Sequence, residues 1–148
     1  MSRRRLAVQL YIGGSYAGKR KAVNKRYENA SWLSSYNGNL LLDWKSTWLK
    51  NTHLVIEGWE YWIKESIHST EIDKIRQQYK LLFQELLEEE AKREETVILI
   101  MLEIGKGIVP INETDRKLRD VAGWIQQDAA EAAKEVFYVW HGLEKRLK

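Results

Sequence analysis

The sequence predicts an all-α protein, an up-and-down bundle of about four helices that follows an extended basic N-terminal arm. Bulky apolar residues recur at intervals of three, four and seven residues over long segments of the chain, which is the spacing of one helix face. No convincing run of alternating apolar and polar residues indicates strands. The charges are also segregated, because the first 26 residues hold eight Lys and Arg and no carboxylate. The chain is therefore divided into a basic arm, residues 1–27, and a helical bundle, residues 28–148.

Two helices are predicted in the first part of the bundle. Residues 28–36 form a short helix that ends at the turn pair Asn37-Gly38. Residues 40–64 form a longer helix whose apolar face is rich in tryptophan. Because large aromatic side chains dominate the burial available to a thin bundle, we expect these tryptophans, and one in the last helix, to lie in the core or at a subunit interface. The predicted interface residues are Trp44, Trp48, Trp59, Trp62 and Trp140.

Two further helices complete the predicted bundle. The third begins near Ile72, carries an apolar stripe that returns at Val97–Leu102, and stops at the glycines that follow. The last begins after Asn112, which together with Asp115 resembles a capping arrangement, and its apolar positions continue almost to the C-terminus. The connections between these helices are short, which favours antiparallel neighbours in a bundle.

The basic arm is predicted to bind nucleic acid. A block of like charge repels itself and gains most by lying along a polyanion, whose counterions it displaces. Glycine and tyrosine alternate with its Lys and Arg side chains, so the backbone can approach phosphates closely. The predicted nucleic-acid-binding residues are Arg3, Arg4, Arg5, Tyr11, Tyr16, Lys19, Arg20, Lys21, Lys25 and Arg26. A solvated terminal tail, or a leader related to expression, is the alternative interpretation of the same block.

A phosphate-binding loop is a second interpretation of part of the arm. The segment Gly13-Gly-Ser-Tyr-Ala-Gly-Lys19 satisfies the G-x-x-x-x-G-K portion of that motif and follows an apolar stretch, Leu6–Ile12. The next residue of the motif should be Ser or Thr, which holds Mg²⁺, and here it is Arg20. The loop also needs a parallel sheet behind it, whereas the rest of the chain is predicted to be helical. We therefore predict that the chain is not a nucleotide hydrolase.

No other feature of the sequence predicts catalysis or a bound group. The chain has no cysteine, and its three histidines are far apart in sequence, so we expect no metal site and no cofactor. The glutamate-rich run at residues 85–95 contains Lys92 and Arg93 and is typical of a solvated helix face. The apolar run Val97–Leu102 is far shorter than the roughly 20 residues of a membrane-spanning helix. We expect neither an enzyme nor a membrane span.

A short arm of Arg, Lys, Gly and Tyr, residues 1–27, joined to a compact helical bundle resembles the major coat proteins of filamentous and rod-shaped archaeal viruses, of the lipothrixvirus and rudivirus type. The resemblance implies a structural protein that wraps double-stranded DNA and assembles, with itself and commonly with a second related coat subunit, into a helical nucleoprotein filament. A filament must neutralise phosphate charge and bury apolar faces between subunits. It also implies a capsid protein of the virion, assembled in the host cytoplasm, with no small-molecule substrate.

A rival interpretation comes from a different class of protein. A small helical subunit of an RNA-guided or other nucleoprotein complex would also be basic at one end, helical and non-catalytic. Self-assembly separates the two, because a coat protein should polymerise on any long duplex, whereas a subunit should need its partner proteins and its guide. An enzyme with an unrecognised helical active site is a third interpretation, and no constellation of residues in the sequence supports it.

Overall fold

The computed structural model describes residues 7–15, 17–103 and 112–148, and within them the protein has an α/β fold rather than the predicted all-α bundle. The strands are β1 (Gln9–Gly13), β2 (Ala30–Ser34), β3 (His53–Glu57), β4 (Val97–Leu102), β5 (Glu135–Trp140) and β6 (Leu143–Arg146). The α-helices are α1 (Lys19–Arg26), α2 (Trp44–Thr47), α3 (Trp59–Ser69), α4 (Ile72–Glu90) and α5 (Glu113–Ala132). Two short 3-10 segments, Ser35–Asn37 and Leu41–Asp43, precede α2. Among the helices of the described residues, none is long and apolar enough to cross a membrane.

One six-stranded sheet runs through the described residues in the order β2-β3-β4-β1-β5-β6. The strands from β1 to β5 are parallel to one another, and β6 is antiparallel to β5. Strands that are covered on both faces read as continuous apolar runs, without alternation. The inner strands β3 and β4 were therefore missed in the sequence, because strands buried on both faces show no alternation of apolar and polar residues.

Helices cover both faces of the sheet. On one face α3, α4 and α5 pack against the larger core, which includes Leu10, Trp59 and Ile125. On the other face α1 packs against a smaller core through Val23, which lies in the same cluster as Tyr11. Successive residues of a strand point to opposite faces, so the neighbours Leu10 and Tyr11 belong to different cores. The carboxyl ends of the parallel strands meet at one edge of this layered structure.

The helix predicted over residues 40–64 is wrong. The segment contains α2, then β3 in the sheet, then the first part of α3. Gly58 separates β3 from α3 with a φ of 84°, and a Cβ there would collide with the Ser35 hydroxyl, so the position favours glycine. Residues 28–36, also predicted to be helical, contain β2, which pairs with β3. The spacing of the tryptophans therefore arose from successive elements that share one core, not from one helix.

The later helices are partly confirmed. Helix α4 begins at Ile72, near the predicted position, but Val97–Leu102 is the inner strand β4 instead of a returning helical stripe. Asn112 caps α5 as the capping pattern indicates, because its Oδ1 accepts a hydrogen bond from the Asp115 backbone N–H at 2.7 Å. Helix α5 ends at Ala132, and the residues after it form β5 and β6 rather than further helix.

The predicted interface tryptophans differ in exposure. The buried ones are Trp44, Trp48, Trp59 and Trp62. The indole N–H of Trp48 donates to the Thr52 carbonyl at 2.6 Å, and that of Trp62 donates to the Asn39 carbonyl at 3.0 Å, which satisfies their polar atoms inside the core. Trp140 is 58% exposed. Contact of these tryptophans with a second subunit stays a prediction.

Candidate functional site

The glycine-rich segment 13–19 connects β1 to α1 at the carboxyl edge of the sheet. Gly13 is tightly packed, because a Cβ there would come within 2.5 Å of the Val139 carbonyl oxygen. Gly18, the N-cap residue of α1, has a φ of 96°, a left-handed conformation that side chains rarely adopt. Both glycines are therefore required by a tight turn from an inner strand into a helix.

The turn places the N-terminal end of α1 and the Lys19 side chain at the open edge of the sheet. Backbone N–H groups in the first turn of a helix have no partner within the helix, and the helix dipole adds positive potential there. The Lys19 ammonium donates to the Gly14 carbonyl at 2.6 Å, so it lies across the loop. Burial lowers the pKa of Lys19 from its usual value, and the carboxylates of Glu60 and Glu57 oppose this effect. The arrangement suits a bound phosphate.

Arg20 and Glu57 form an ion pair beside the loop. Glu57 is the last residue of β3 and is 1% exposed. Nε of Arg20 lies 3.0 Å from Oε1 of Glu57, and the guanidinium carbon lies 5.2 Å from the ring centroid of Trp32. Oε2 of Glu57 is buried and has no hydrogen-bond partner within the described part of the chain. A buried carboxylate needs compensation, and here the compensating charge is on an Arg side chain that is 62% exposed.

A second carboxylate, that of Glu60 in α3, lies near the same loop. The Tyr36 hydroxyl donates to Oε2 of Glu60 at 2.6 Å. Burial raises the pKa of Tyr36, and the hydrogen bond and negative charge of Glu60 raise it further. The Tyr36 ring packs edge to face on Tyr61, with 5.6 Å between the ring centroids. Tyr36 therefore stays protonated and holds Glu60 in place.

These side chains line one cleft of about 790 Å³. Lys64, Leu102 and Leu118 extend its wall beyond the loop and the two carboxylates. Ligands of open α/β sheets bind at the carboxyl ends of the strands, and the ends of β1, β3 and β4 meet beside this cleft. Its volume falls within the range of roughly 300–1,000 Å³ that is typical of small-molecule sites. The cleft is the candidate site.

The residue after the loop lysine does not suit the metal ion that phosphate-binding loops commonly hold. In such loops a Ser or Thr hydroxyl at this position binds Mg²⁺, whereas Arg20 brings a fixed positive charge to the same place. Within residues 7–15, 17–103 and 112–148, no group of three or more His, Cys, Asp or Glu side chains is arranged to hold a metal ion. The donor groups at the loop therefore do not fit Mg²⁺.

Residues 20–147 match the model of the family described as cobinamide kinase / cobinamide phosphate guanyltransferase. The chain belongs to this family. The match begins at Arg20, directly after the glycine-rich segment, so the interpretation of residues 13–19 as a phosphate-binding loop depends on the strand, turn and helix described above.

Similar proteins include bacterial proteins named for adenosylcobalamin biosynthesis. The bifunctional adenosylcobalamin biosynthesis protein CobU is 44% identical over 52 residues in Salmonella typhimurium and 42% identical over 52 residues in Escherichia coli. The bifunctional adenosylcobalamin biosynthesis protein CobP of Pseudomonas aeruginosa is 40% identical over 52 residues. Each match covers 35% of this chain, 29% of the two CobU proteins and 30% of CobP. The matched part of the chain thus spans less than a third of the length of these curated relatives.

Membership of the cobinamide kinase family corrects the functional predictions made from the sequence. The resemblance to archaeal viral coat proteins is wrong, and with it the capsid function, the virion location, and double-stranded DNA and coat subunits as partners. The rival prediction, a helical subunit of a nucleoprotein complex, is unsupported as well. The family description names two enzyme activities on small molecules, which contradicts the expectation of a non-enzymatic protein without a small-molecule substrate. The basic block was misleading because much of it belongs to an ordinary helix that packs on a sheet.

The predicted nucleic-acid-binding residues that precede α1 are one strand residue and four residues that the structure does not describe. Arg3, Arg4, Arg5 and Tyr16 lie outside the described residues. Tyr11 is fully buried in β1, where its ring stacks on Phe137 with 4.9 Å between the centroids. The segment predicted to be an extended arm therefore contributes an inner strand, and its boundary at residue 27 falls at the end of α1.

Helix α1 distributes its basic residues over different surroundings. Lys19 and Arg20 lie at the loop and face the two carboxylates of the cleft. Lys21, which also lines the cleft, and Lys25 are exposed along the helix. Arg26 pairs with a carboxylate of β6 at 2.7 Å. The structure thus brings three of the predicted residues, Lys19, Arg20 and Lys21, together at the cleft, whereas Tyr11, Lys25 and Arg26 lie elsewhere.

Sequence reasoning missed Tyr36, Glu57 and Glu60. For Glu57 a signal was present, because it follows the apolar run Leu54–Ile56 and precedes Gly58, which is the pattern of a short buried strand that ends in a turn. Tyr36 and Glu60 carry no comparable signal. They meet because β2 and β3 are neighbours in the sheet and the segments after both strands lie at the same edge.

Proposed function

We propose that the chain binds the phosphates of a nucleoside triphosphate in the loop of residues 13–19 and transfers the terminal phosphoryl group to cobinamide, the acceptor named by the family description. The observation that carries the proposal is the glycine-rich turn between an inner parallel strand and α1, with Lys19 across it. Backbone N–H groups in such a turn cradle phosphate oxygens, and the lysine reaches the outer phosphates.

The cleft offers an acceptor a place beside the triphosphate. Lys19 and Arg20 provide positive charge at the loop end. Leu102, Leu118 and the half-exposed ring of Tyr61 provide apolar surface in the same cleft. A site of this kind fixes the reacting group with a few polar contacts and holds the rest of the acceptor by apolar contact. The basic and the apolar side chains together therefore suit a cleft that binds the triphosphate and cobinamide side by side.

The proposed transfer is a simple displacement. An acceptor hydroxyl oxygen forms a bond to the terminal phosphorus, the bond from that phosphorus to the bridging oxygen breaks, and the nucleoside diphosphate leaves with the electron pair. The hydroxyl proton passes to water in the open cleft. Phosphoryl transfer needs little covalent chemistry from the protein and depends mainly on positioning and on positive charge near the transferred group. Lys19 and Arg20 supply that charge in this chain.

The variant Lys19→Met tests the proposal. We expect the unaltered chain to bind ATP or GTP in calorimetric titration and to yield phosphorylated cobinamide, detected by mass spectrometry. Loss of the ammonium should weaken nucleotide binding by at least about tenfold, because charge-assisted contacts to phosphate are lost, and should abolish the product.

The matched control is Lys25→Met, which removes the same charge from an exposed position of the same helix. It should bind nucleotide as the unaltered chain does. Equal weakening in the two variants would show that only the overall charge of α1 matters, and an unaltered chain that binds neither nucleotide would refute the proposal.

A further inference from the structure

We infer that Arg20 takes the place of a divalent cation in the cleft, so that the chain binds a nucleoside triphosphate without Mg²⁺. The inference rests on the proposed nucleotide binding and specifies how the negative charge of the phosphates is balanced. It concerns the chain's own residues and can be tested by binding alone.

The position of Arg20 is the first argument. It follows Lys19 directly and is the second residue of α1, the place where a phosphate-binding loop otherwise presents a hydroxyl to the metal ion. The side chain is long enough to span from the helix to the end of β3, where Nε meets Oε1 of Glu57 at 3.0 Å. A positive group therefore already lies between the loop and the carboxylate at the neighbouring strand end.

The burial of Glu57 is the second argument. At 1% exposure its carboxylate is stabilised by the Arg20 guanidinium rather than by water. A metal ion that bound Glu57 would have to displace this guanidinium or lie beside it, and two cations in contact repel each other strongly in a partly buried site. The ion pair therefore competes directly with a metal ion for the same carboxylate.

The shape of the guanidinium is the third argument. Arg20 uses Nε toward Glu57 and is 62% exposed, and its planar group also lies over the Trp32 ring. These contacts fix the orientation of the guanidinium while its terminal nitrogens can reach solvent. Arginine presents paired donors that match phosphate oxygens, so the anchored side chain can bind a triphosphate oxygen where the metal ion would otherwise bridge.

The first test is a calorimetric titration of the unaltered chain with a non-hydrolysable ATP or GTP analogue, in excess MgCl₂ and in excess EDTA. We expect the dissociation constant in EDTA to be no larger than that in MgCl₂, because the compensating charge belongs to the protein and Mg²⁺ in solution competes with it for the phosphates. A chain that binds the analogue only with Mg²⁺ overturns the inference and leaves the proposed function intact. A chain that binds in neither buffer overturns the proposed function and the inference together.

The second test restores the hydroxyl with Arg20→Ser. This variant should lose at least about tenfold in affinity in EDTA and regain part of it with Mg²⁺, since the hydroxyl and the Glu57 carboxylate are then free to bind the ion. Electron paramagnetic resonance of Mn²⁺ gives an independent readout. On adding Arg20→Ser to Mn²⁺ and the nucleotide analogue, the spectrum should become that of a protein-bound ion, whereas an excess of the unaltered chain should release the ion and give the spectrum of free aqueous Mn²⁺.

The conservative variant Arg20→Lys guards against misfolding of the serine variant. It should bind the analogue more weakly than the unaltered chain, because an ammonium cannot contact Glu57 and a phosphate with separate planar donors, yet it should still bind without Mg²⁺. A serine variant that binds equally well in both buffers, or a lysine variant that requires Mg²⁺, would overturn the inference.

Discussion

Two buried carboxylates at opposite edges of the sheet are satisfied in different ways. Glu90, at the end of α4, is 2% exposed, and its Oε2 accepts hydrogen bonds from the Thr96 hydroxyl at 2.5 Å and from the Val97 backbone N–H at 2.8 Å. Glu57, at the end of β3, is 1% exposed and pairs with the exposed side chain of Arg20 at 3.0 Å. The first carboxylate is held by neutral donors close to it in the chain, and the second by a distant cation.

The different partners of the two carboxylates indicate different roles: Glu90 stabilises the fold, and Glu57 belongs to the candidate site. The donors to Glu90 belong to the connection between α4 and β4, so the carboxylate fixes the start of an inner strand. One oxygen of Glu57 has no hydrogen-bond partner within the described part of the chain, and its cation belongs to a side chain that is 62% exposed. Incomplete satisfaction of a buried charge is tolerated mainly at functional sites. The amino edge of the sheet therefore stabilises the fold, and the carboxyl edge carries the site.

The largest expected effect on stability follows from Glu90→Ala. The change leaves two buried donors without an acceptor, and each such loss costs about 1–3 kcal/mol, so we expect the free energy of unfolding to fall by about 2–4 kcal/mol. Urea denaturation followed by circular dichroism measures it. The control is Glu88→Ala, an exposed position of the same helix, for which the expected change is within about 0.5 kcal/mol. Equal losses of stability in Glu90→Ala and Glu88→Ala would show that the buried carboxylate of Glu90 does not stabilise the fold in the way proposed.

A smaller effect at the same edge is expected from pH. Nδ1 of His53 accepts a hydrogen bond from the Thr96 backbone N–H at 3.1 Å, which requires an unprotonated nitrogen. Burial lowers the pKa of His53, and the negative charge of Glu95 opposes the shift. The unfolded chain then binds a proton that the folded chain does not, so stability falls as the pH drops below about 6.5.

The measurement is the free energy of unfolding at about pH 7.5 and pH 5.5 in urea. Since His53 is partly exposed, the expected loss is about 1 kcal/mol, below the full linkage value. His53→Gln should lose less stability between the two pH values than the unaltered chain does. Identical losses in both proteins would show that other groups cause the pH dependence.

The helical part of this fold could be predicted from the sequence more readily than the sheet. Helix α4 has an amphipathic stripe with Ile75 and Tyr79 buried, and the Asn112 cap is a local hydrogen bond, so both leave local signals. Strand β4 leaves none, because its run Val97–Leu102 is buried on both faces and is also compatible with a helix. The spacing of apolar residues alone does not distinguish a buried strand from a buried helix.

The site could be predicted only in part, for a related reason. The glycine-rich segment with Lys19 was visible in the sequence, and it was rejected because no parallel sheet was predicted behind it. Arg20 was interpreted as a departure from the motif, and its partner Glu57 was not considered. The two residues are joined by the sheet order, which places β3 near β1 with β4 between them. Pairing of this kind depends on tertiary structure and has no local pattern.

The smallest expected change in the free energy of unfolding is that of Glu57→Gln, and it tests most directly whether Glu57 differs in role from Glu90. The amide has the same volume, its oxygen can still accept a hydrogen bond from Arg20, and the exposed guanidinium can be solvated. Replacing an incompletely satisfied buried charge by a neutral group is often neutral or stabilising, so we expect a change within about 1 kcal/mol in urea denaturation. Nucleotide binding should weaken by about tenfold, because Arg20 loses its charged anchor.

The matched control is Glu90→Gln, which makes the same chemical change at the other edge. There one amide oxygen must serve both the Thr96 hydroxyl and the Val97 N–H, and the added amide hydrogens lie in a buried place that was suited to a carboxylate, so the loss of stability should exceed that of Glu57→Gln. Nucleotide affinity of the folded Glu90→Gln protein should match that of the unaltered chain. If Glu57→Gln loses as much stability as Glu90→Gln and keeps its nucleotide affinity, then both carboxylates stabilise the fold and the ion pair with Arg20 belongs to the scaffold.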